Sequence, residues 1–362
     1  MAGEMQNIIK LKDIILPFCT VLILVVLSLS PAGCAAQNIN PDKPHHTNNG
    51  FINPDLKEDH GFFDFLRWRW NRLWMDIPSA DSYDFPVAKN DPEFLRVNQT
   101  QKTLTWIGHA TMLFQIDGKN ILTDPHFSKR SSPVQWAGPK RVVPPGISIE
   151  DLPPIHIVFI SHDHYDSLDT QSIIDLYHRE DGTDTRFFVP LGMKKWFKNL
   201  GVNSAIEMDW WDNYQMDSLN IIATPMQHWG KRSPFSRNEH LWASWIVMSK
   251  DFRFFFGGDT GYSPHFRETG ERYGPFDLAL LPIGAYEPRW FMKNHHINPE
   301  EAVQAHLDLR SRKSVAMHWG TFMLTDEPLD EPPRRLKEAM KNEGLSDEDF
   351  LVLQHGQTIV LE

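Results

Sequence analysis

Four short apolar runs in this chain each lead into residues of the kind that bind metals. "IHIVFI" (155–160) runs into "SHDHYD", "NIIATP" (220–225) into "MQH" at His228, "FRFFFGG" (252–258) into Asp259, and "KSVAMH" (313–318) closes on His318. Runs of this length, rich in Ile, Val and Phe and bounded by polar residues, have the character of strands. If they point the same way, their ends deliver histidines and aspartates to one edge, where loops build a site on a rigid scaffold. One such ending is weak evidence, whereas four together restrict the chain to a sheet-based architecture with a shared functional edge.

The remaining pattern is compatible. "TLTWIGHATMLFQIDGKNILTDP" alternates apolar and polar residues around Asp117-Gly118-Lys119-Asn120, the signature of a β-hairpin. Further strand-like runs fall at 186–190, 241–248, 277–283 and 350–361, and helical stretches near 169–179, 192–200, 299–309 and 331–343. Strand runs in both halves with helices interspersed predict an α+β chain, with two mixed sheets between helix layers.

His162 and His164 are two residues apart, so both rings can reach one cation from a loop. With His228 they make three imidazoles, which Zn2+ accepts readily together with an oxygen. Asp259 has two carboxylate oxygens and can bridge to a second ion, held also by Asp166, His318 and water. Two cations about 3.5–4 Å apart share a hydroxide that is nucleophilic at neutral pH, and clamp both the attacking and leaving oxygens of a phosphodiester. Ser167 stands where such a site has use for another imidazole. Whether the chain holds one ion or two therefore stays open at this point.

Both cysteines, Cys19 and Cys34, lie near the N-terminus, which excludes a disulfide framework, a thiol nucleophile and a thiolate ligand from everything after residue 34. A net charge of −11 argues against nucleic acid as a partner. Residues 1–34 carry lysines, an apolar core from Val21 to Leu29, and small residues before Cys34. They are expected to be a lipoprotein signal with Cys34 acylated; an uncleaved signal anchor and ordinary cleavage are the alternatives. All three place the body in the cell envelope, facing the periplasm or exterior. Residues 35–60, rich in Asn, Pro, His and Asp, are expected to be a flexible tether, with His45 and His46 solvated. Residues 61–102 form an aromatic-rich extension opening on "GFFDFLRWRWNRLWMDIP". As a helix this stretch has a broad aromatic face and a basic rim, expected to dock on the catalytic domain (103–362) and to touch a membrane surface as a second role.

With these residues in view, the chain resembles the metallo-β-lactamase-fold hydrolases, whose hallmark is His-x-His-x-Asp-His after a strand. More narrowly it resembles the N-acyl-phosphatidylethanolamine-hydrolysing phospholipase D family. The likeness runs from about Thr103 to Val360 and includes "IGHATMLFQIDGKNILTDPHFSKRSSP", "GPKR", "FFFGGDTGY", "RYGPFDLALLPIGAYEPRWFMK", "NPEEAVQAHLDL" and "MHWGTFMLTDEP". It implies an αβ/βα sandwich with a binuclear zinc site: His162, His164, His228 and Asp259 on one ion, Asp166, Asp259 and His318 on the other. It also implies cleavage of N-acylated phosphatidylethanolamine, a phospholipid substrate, to phosphatidic acid and an N-acylethanolamine. Metal-bound hydroxide is the nucleophile expected, with Asp166, Asp259 and His296 as catalytic residues.

The resemblance makes His109 and Asp124 candidates to orient metal-bound histidines from behind, or to stabilise loops. His296 is expected to reach the phosphate or the leaving oxygen, and neighbouring His295 to lie at the surface. Tyr286, Arg289 and Trp290 are candidates to border the headgroup pocket. The departure is Ser167, where the family has the second ion's histidine, so the second Zn2+ is expected to bind more weakly. Two other readings stay open. One is a metallohydrolase of another ester, a lactone or a small phosphodiester, because one fold hosts many chemistries. The other is a lipid-binding envelope protein whose second metal site has decayed. Oligomeric state is open, a homodimer included.

Overall fold

The computed structural model describes residues 39–56, 60–233 and 235–361; the signal-like segment, with Cys34, lies outside them. Strands β1 (His46–Thr47) and β2 (Gly50–Phe51) form a short hairpin. A first sheet follows chain order through β3 (Lys102–Gly108), β4 (Thr111–Ile116), β5 (Lys119–Thr123), β6 (Ile157–Phe159), β7 (Arg186–Pro190) and β8 (Ala205–Met208). A second runs through β9 (Asn213–Met216), β10 (Leu219–Thr224), β11 (Ser244–Met248), β12 (Arg253–Phe256), β13 (Leu278–Pro282), β14 (Ser314–Met317) and β15 (Phe350–Leu351). Strand β16 (Thr358–Leu361) then returns to pair with β3 in the first sheet. Both sheets are mixed: β3 to β5 and β9 to β12 are antiparallel, β5 to β8 and β12 to β15 parallel.

Strand periodicity explains why the sheets stack between helices. In β6, Ile157 and Phe159 enter the core between the sheets, while Val158 faces the outer helical layer; in β12, Phe254 and Phe256 point inward and Phe255 outward. Strands with both faces covered read as continuous apolar runs, which is how they stand out in the sequence. Phe114 stacks on Phe254 at 4.4 Å and Phe159 on Trp245 at 5.1 Å, joining the two inner faces. Truncating such a ring to alanine costs about 3–5 kcal/mol. The β-hairpin expected from the sequence is present, and its turn is only two residues long, Asp117 (φ 51°) and Gly118 (φ 70°), both left-handed, with Lys119 and Asn120 already in β5.

The helices are α1 (Phe62–Arg72), α2 (Pro92–Val97), α3 (Thr170–Tyr177), α4 (Lys194–Asn199), α5 (His265–Tyr273), α6 (Arg289–Met292), α7 (Pro299–Asp308) and α8 (Glu331–Asn342). Residues of α3 and α4 pack in the outer core of the first sheet, and residues of α5, α7 and α8 in that of the second. In "NPEE", Asn298 Oδ1 accepts from the Glu301 N–H (2.9 Å) and Glu301 Oε2 accepts from the Asn298 N–H (3.2 Å), a capping box that fixes where α7 starts.

His45 and His46 correct the sequence reading. They are not solvated: both are buried, and both donate through Nε2 to Asp209, at 2.7 and 3.0 Å, beside Lys43 Nζ. The Asn40 N–H donates to His46 Nδ1, so the proton of that ring sits on Nε2, where it serves the carboxylate. Composition concealed this clasp because the charge it answers lies more than 160 residues away. Burial alone would raise the Asp209 carboxyl, but the bonds from His45 and Lys43 outweigh it and hold the carboxyl well below its usual range. Its contribution to stability is therefore full above about pH 4 and is lost as the pH falls further. Asp209→Asn is expected to lower unfolding stability at pH 7 by about 2 kcal/mol, with the difference from wild type shrinking below about pH 4. Urea denaturation at pH 7 and 3.5 measures this; a pH-independent difference would contradict the charged clasp.

Candidate metal centre

The exits of β3, β5, β6, β10, β12 and β14 carry His109, Asp124, the loop from Ser161, His228, Asp259 and His318 respectively. Two devices hold this edge in shape. Arg232 donates to the carbonyls of Asp163 (3.1 Å) and Leu168 (2.7 Å) and to Thr170 Oγ1 (2.6 Å), with its guanidinium over Tyr165 and Trp196. That pins both ends of the His162–Ser167 loop. Gly258, left-handed at φ 62°, brings Asp259 past Ser161; a side chain there would place Cβ 2.6 Å from that of Ser161.

His162, His164 and His228 converge with ring centroids 4.4–5.0 Å apart. His228 Nδ1 donates to the His295 carbonyl (2.9 Å), so Nε2 is a lone pair, and it stands 3.1 Å from His164 Nδ1. Ser161 Oγ meets His162 Nδ1 (2.9 Å) and donates to Asp124 Oδ2 (2.5 Å), while the Ser161 N–H donates to Asp124 Oδ1 (2.7 Å). His162 Nε2 is thereby left buried without a hydrogen-bond partner, 3.8 Å from Asp259 Oδ2. Neither Asp259 oxygen has a well-directed hydrogen bond, although Oδ2 lies only 2.9 Å from His318 Nε2. Burial pushes His162 and His228 well below the usual histidine range, and His164 down as well. Neutral imidazoles and an unsatisfied carboxylate, packed where water does not serve them, fit a divalent cation.

Asp166, His318 and His109 form an adjoining cluster. His318 Nε2 and His109 Nε2 each lie 3.3 Å from Asp166 Oδ2. Burial alone would raise the Asp166 carboxyl, yet the bonds from His109 and His318 hold it well below its usual range. For His318 burial acts downward, but the Asp259 charge and the bond to Asp166 lift it to about 10. The Ser167 hydroxyl is buried beside Asp124, with no well-directed bond.

The other expected residues separate. His296 joins His228 and Asp259 in a third grouping, its ring 5.2 Å from that of His228. Arg289 donates to the His296 carbonyl (2.8 Å) and pairs with both oxygens of Glu301, so it holds the His296 loop to α7. Tyr286, expected at the headgroup pocket, is buried and donates its hydroxyl to Glu331 (2.7 Å), which commits it to packing against α8. Trp290 is partly exposed beneath Arg67. His295, expected at the surface, is buried, and its carbonyl accepts from His228 Nδ1.

Ser161, Arg232 and Asn53 went unassigned in the sequence. Asn53 donates to the His228 carbonyl (2.7 Å) and accepts from Trp242 Nε1, tying the N-terminal segment to the site. Arg232 follows His228 by four residues, but nothing in residue type marks a serine that joins an aspartate to an imidazole. Ser161→Ala is expected to weaken divalent-metal affinity about 10–100-fold by freeing the His162 ring. Competition with a chromophoric chelator measures it, and an unchanged affinity would remove Ser161 from that role.

A profile of the β-lactamase superfamily domain matches residues 119–319. The chain is 43% identical over 265 residues to the N-acyl-phosphatidylethanolamine-hydrolyzing phospholipase D 1 of Caenorhabditis elegans, spanning 70% of this chain and 74% of that one. It is 32% identical over 316 residues to the mitochondrial N-acyl-phosphatidylethanolamine-hydrolyzing phospholipase D of Saccharomyces cerevisiae, spanning 83% and 67%. A solved metallo hydrolase from the archaeon Ignicoccus hospitalis superposes with a TM-score of 0.53 at 23% identity, over 73% of this chain and 99% of that one, a likeness of fold.

Proposed function

For a chain that belongs to the metallo-β-lactamase-fold hydrolases, in the N-acyl-phosphatidylethanolamine-hydrolysing phospholipase D family, we propose that its metal-dependent hydrolysis acts on the phosphodiester of N-acylated phosphatidylethanolamine. The products are phosphatidic acid and an N-acylethanolamine. The observation that carries this reading is the meeting of two donor clusters at Asp259, which suits a pair of ions around one phosphoryl group. His162, His164, His228 and Asp259 would hold one ion and Asp166, Asp259 and His318 the other, with Zn2+ the best match to this imidazole-rich set. When bound, such ions supply Lewis acidity toward the phosphoryl oxygen and activate water. His296, kept neutral by burial and held through Arg289, offers an N–H to the phosphate or the leaving oxygen.

A lipid substrate calls for access to a membrane surface. Helix α1 docks through Trp68 Nε1 and Arg72, which both donate to Asp326 at 2.8 Å. Phe63, Trp70 and the following Trp74 stay 83%, 63% and 77% exposed, with Arg67 and Arg69 among them. Aromatic side chains beside arginines suit the headgroup layer of an anionic bilayer. Among the described residues no helix is long and apolar enough to cross a membrane. Interfacial contact, together with acylation at Cys34, would hold the protein in the cell envelope outside the cytoplasm. The triple substitution Phe63→Ser, Trp70→Ser, Trp74→Ser is expected to reduce sedimentation with anionic vesicles at least about tenfold. Undiminished vesicle binding would exclude this face from the role.

Metal-replete full-length protein offered N-acylated phosphatidylethanolamine, a lactone and a small aryl phosphodiester, each with and without chelator, tests the reading. Phosphatidic acid formed in a chelator-sensitive reaction supports it. Turnover of the lactone alone, or lipid binding without phosphatidic acid, overturns it.

A further inference from the structure

We propose that His109, and not the residue at position 167, supplies the imidazole that completes the second metal position. The inference rests on the metal-dependent reading above and assigns within it a ligand that the sequence placed only behind the site. The Ser167 hydroxyl lies beside Asp124, whereas His109 Nε2 lies 3.3 Å from Asp166 Oδ2, the same oxygen that His318 Nε2 approaches to 3.3 Å. All three donor atoms fall within 4.8 Å of one another. Donors bound at about 2.1 Å around a tetrahedral ion stand about 3.4 Å apart, so these separations match the edges of a coordination shell. They also lie at the long end of hydrogen-bond distances.

The backbone is shaped to hold this arrangement. His109 and His318 both adopt left-handed conformations, φ 55° and 61°, which non-glycine residues keep only where the surroundings fix them. The His318 N–H donates to the His109 carbonyl (3.1 Å), and the His109 N–H donates to Thr321 Oγ1 (2.8 Å). The two rings sit 4.0 Å apart, and Phe322 packs edge-on against His109. An imidazole missing from the loop after β6 is thus replaced by one from the end of β3.

The competing role is a hydrogen bond that merely orients Asp166, and His109→Gln separates the two, because an amide donates such a bond but is a poor zinc ligand. Chelator-stripped full-length protein is titrated with Zn2+ and its bound metal counted. Two ions in wild type and one in the His109→Gln variant are expected, with affinity at the retained position within about threefold of wild type; a filled first position also shows that the variant is folded. Adding Ser167→His to that variant is expected to restore the second ion. Two ions held by His109→Gln with unchanged affinities would overturn the proposal, as would a single ion in wild type. Neither of those results would by itself overturn the lipid reading, which stands on release of phosphatidic acid.

Discussion

Replacing Asp259 with alanine is expected to lower metal-dependent hydrolysis at least about a thousandfold, a loss of about 4 kcal/mol in transition-state stabilisation. The size follows from its position. One carboxylate, 1% exposed, faces His162 on one side and His318 on the other, so its removal takes an oxygen donor from both clusters at once. Loss of a residue serving only one cluster leaves the other donor set intact and costs less. The measurement is kcat/KM of metal-replete variant and wild type on the same lipid dispersion. More than a tenth of wild-type activity in the variant would show that Asp259 is not shared between two ions.

Stripping the metal is expected to lower the melting temperature by about 8 °C. A ligand present at about a thousand times its dissociation constant stabilises the folded state by about 4 kcal/mol, and in a domain of this size each kcal/mol moves the midpoint by about 2 °C. The buried donors add a physical reason. His162 Nε2 and Asp259 Oδ1 are buried polar atoms with no hydrogen-bond partner, so a cation that meets them stabilises the folded state. Zn2+ is expected to restore the midpoint and Mg2+ not, because the donors are mostly imidazole. A midpoint unmoved by chelation would mean that protons alone satisfy the cluster.

Much of the site was legible because strand and ligand coincide. A strand covered on both faces reads as an unbroken apolar run, so the polar residues just beyond it mark a sheet edge, and His228, Asp259 and His318 stand within four residues of such strand ends. The same logic fails where a residue acts through its backbone or through a distant partner. His295 looked superficial because its work is done by a carbonyl. His45 and His46 looked solvated because Asp209 lies on another part of the chain. Tyr286 sits in a motif that suggests a pocket, yet α8 places Glu331 within reach of its hydroxyl. Ser167 drew attention as a missing ligand, but His109, the imidazole nearest to Asp166 alongside His318, comes from a strand end nearly sixty residues earlier, where spacing gives no hint of proximity.

One turnover of N-acylated phosphatidylethanolamine by the metal-replete full-length chain in 18O-labelled water tests the central claim most directly. If water attacks phosphorus and the bond from phosphorus to the ethanolamine oxygen breaks, one labelled oxygen enters the phosphate of phosphatidic acid and none enters the N-acylethanolamine. With ethanol added, no phosphatidylethanol is expected, because direct attack by water leaves no covalent enzyme intermediate for the alcohol to capture. Label in the N-acylethanolamine, or release of a free fatty acid in place of phosphatidic acid, would contradict a metal-dependent phosphodiesterase of this type.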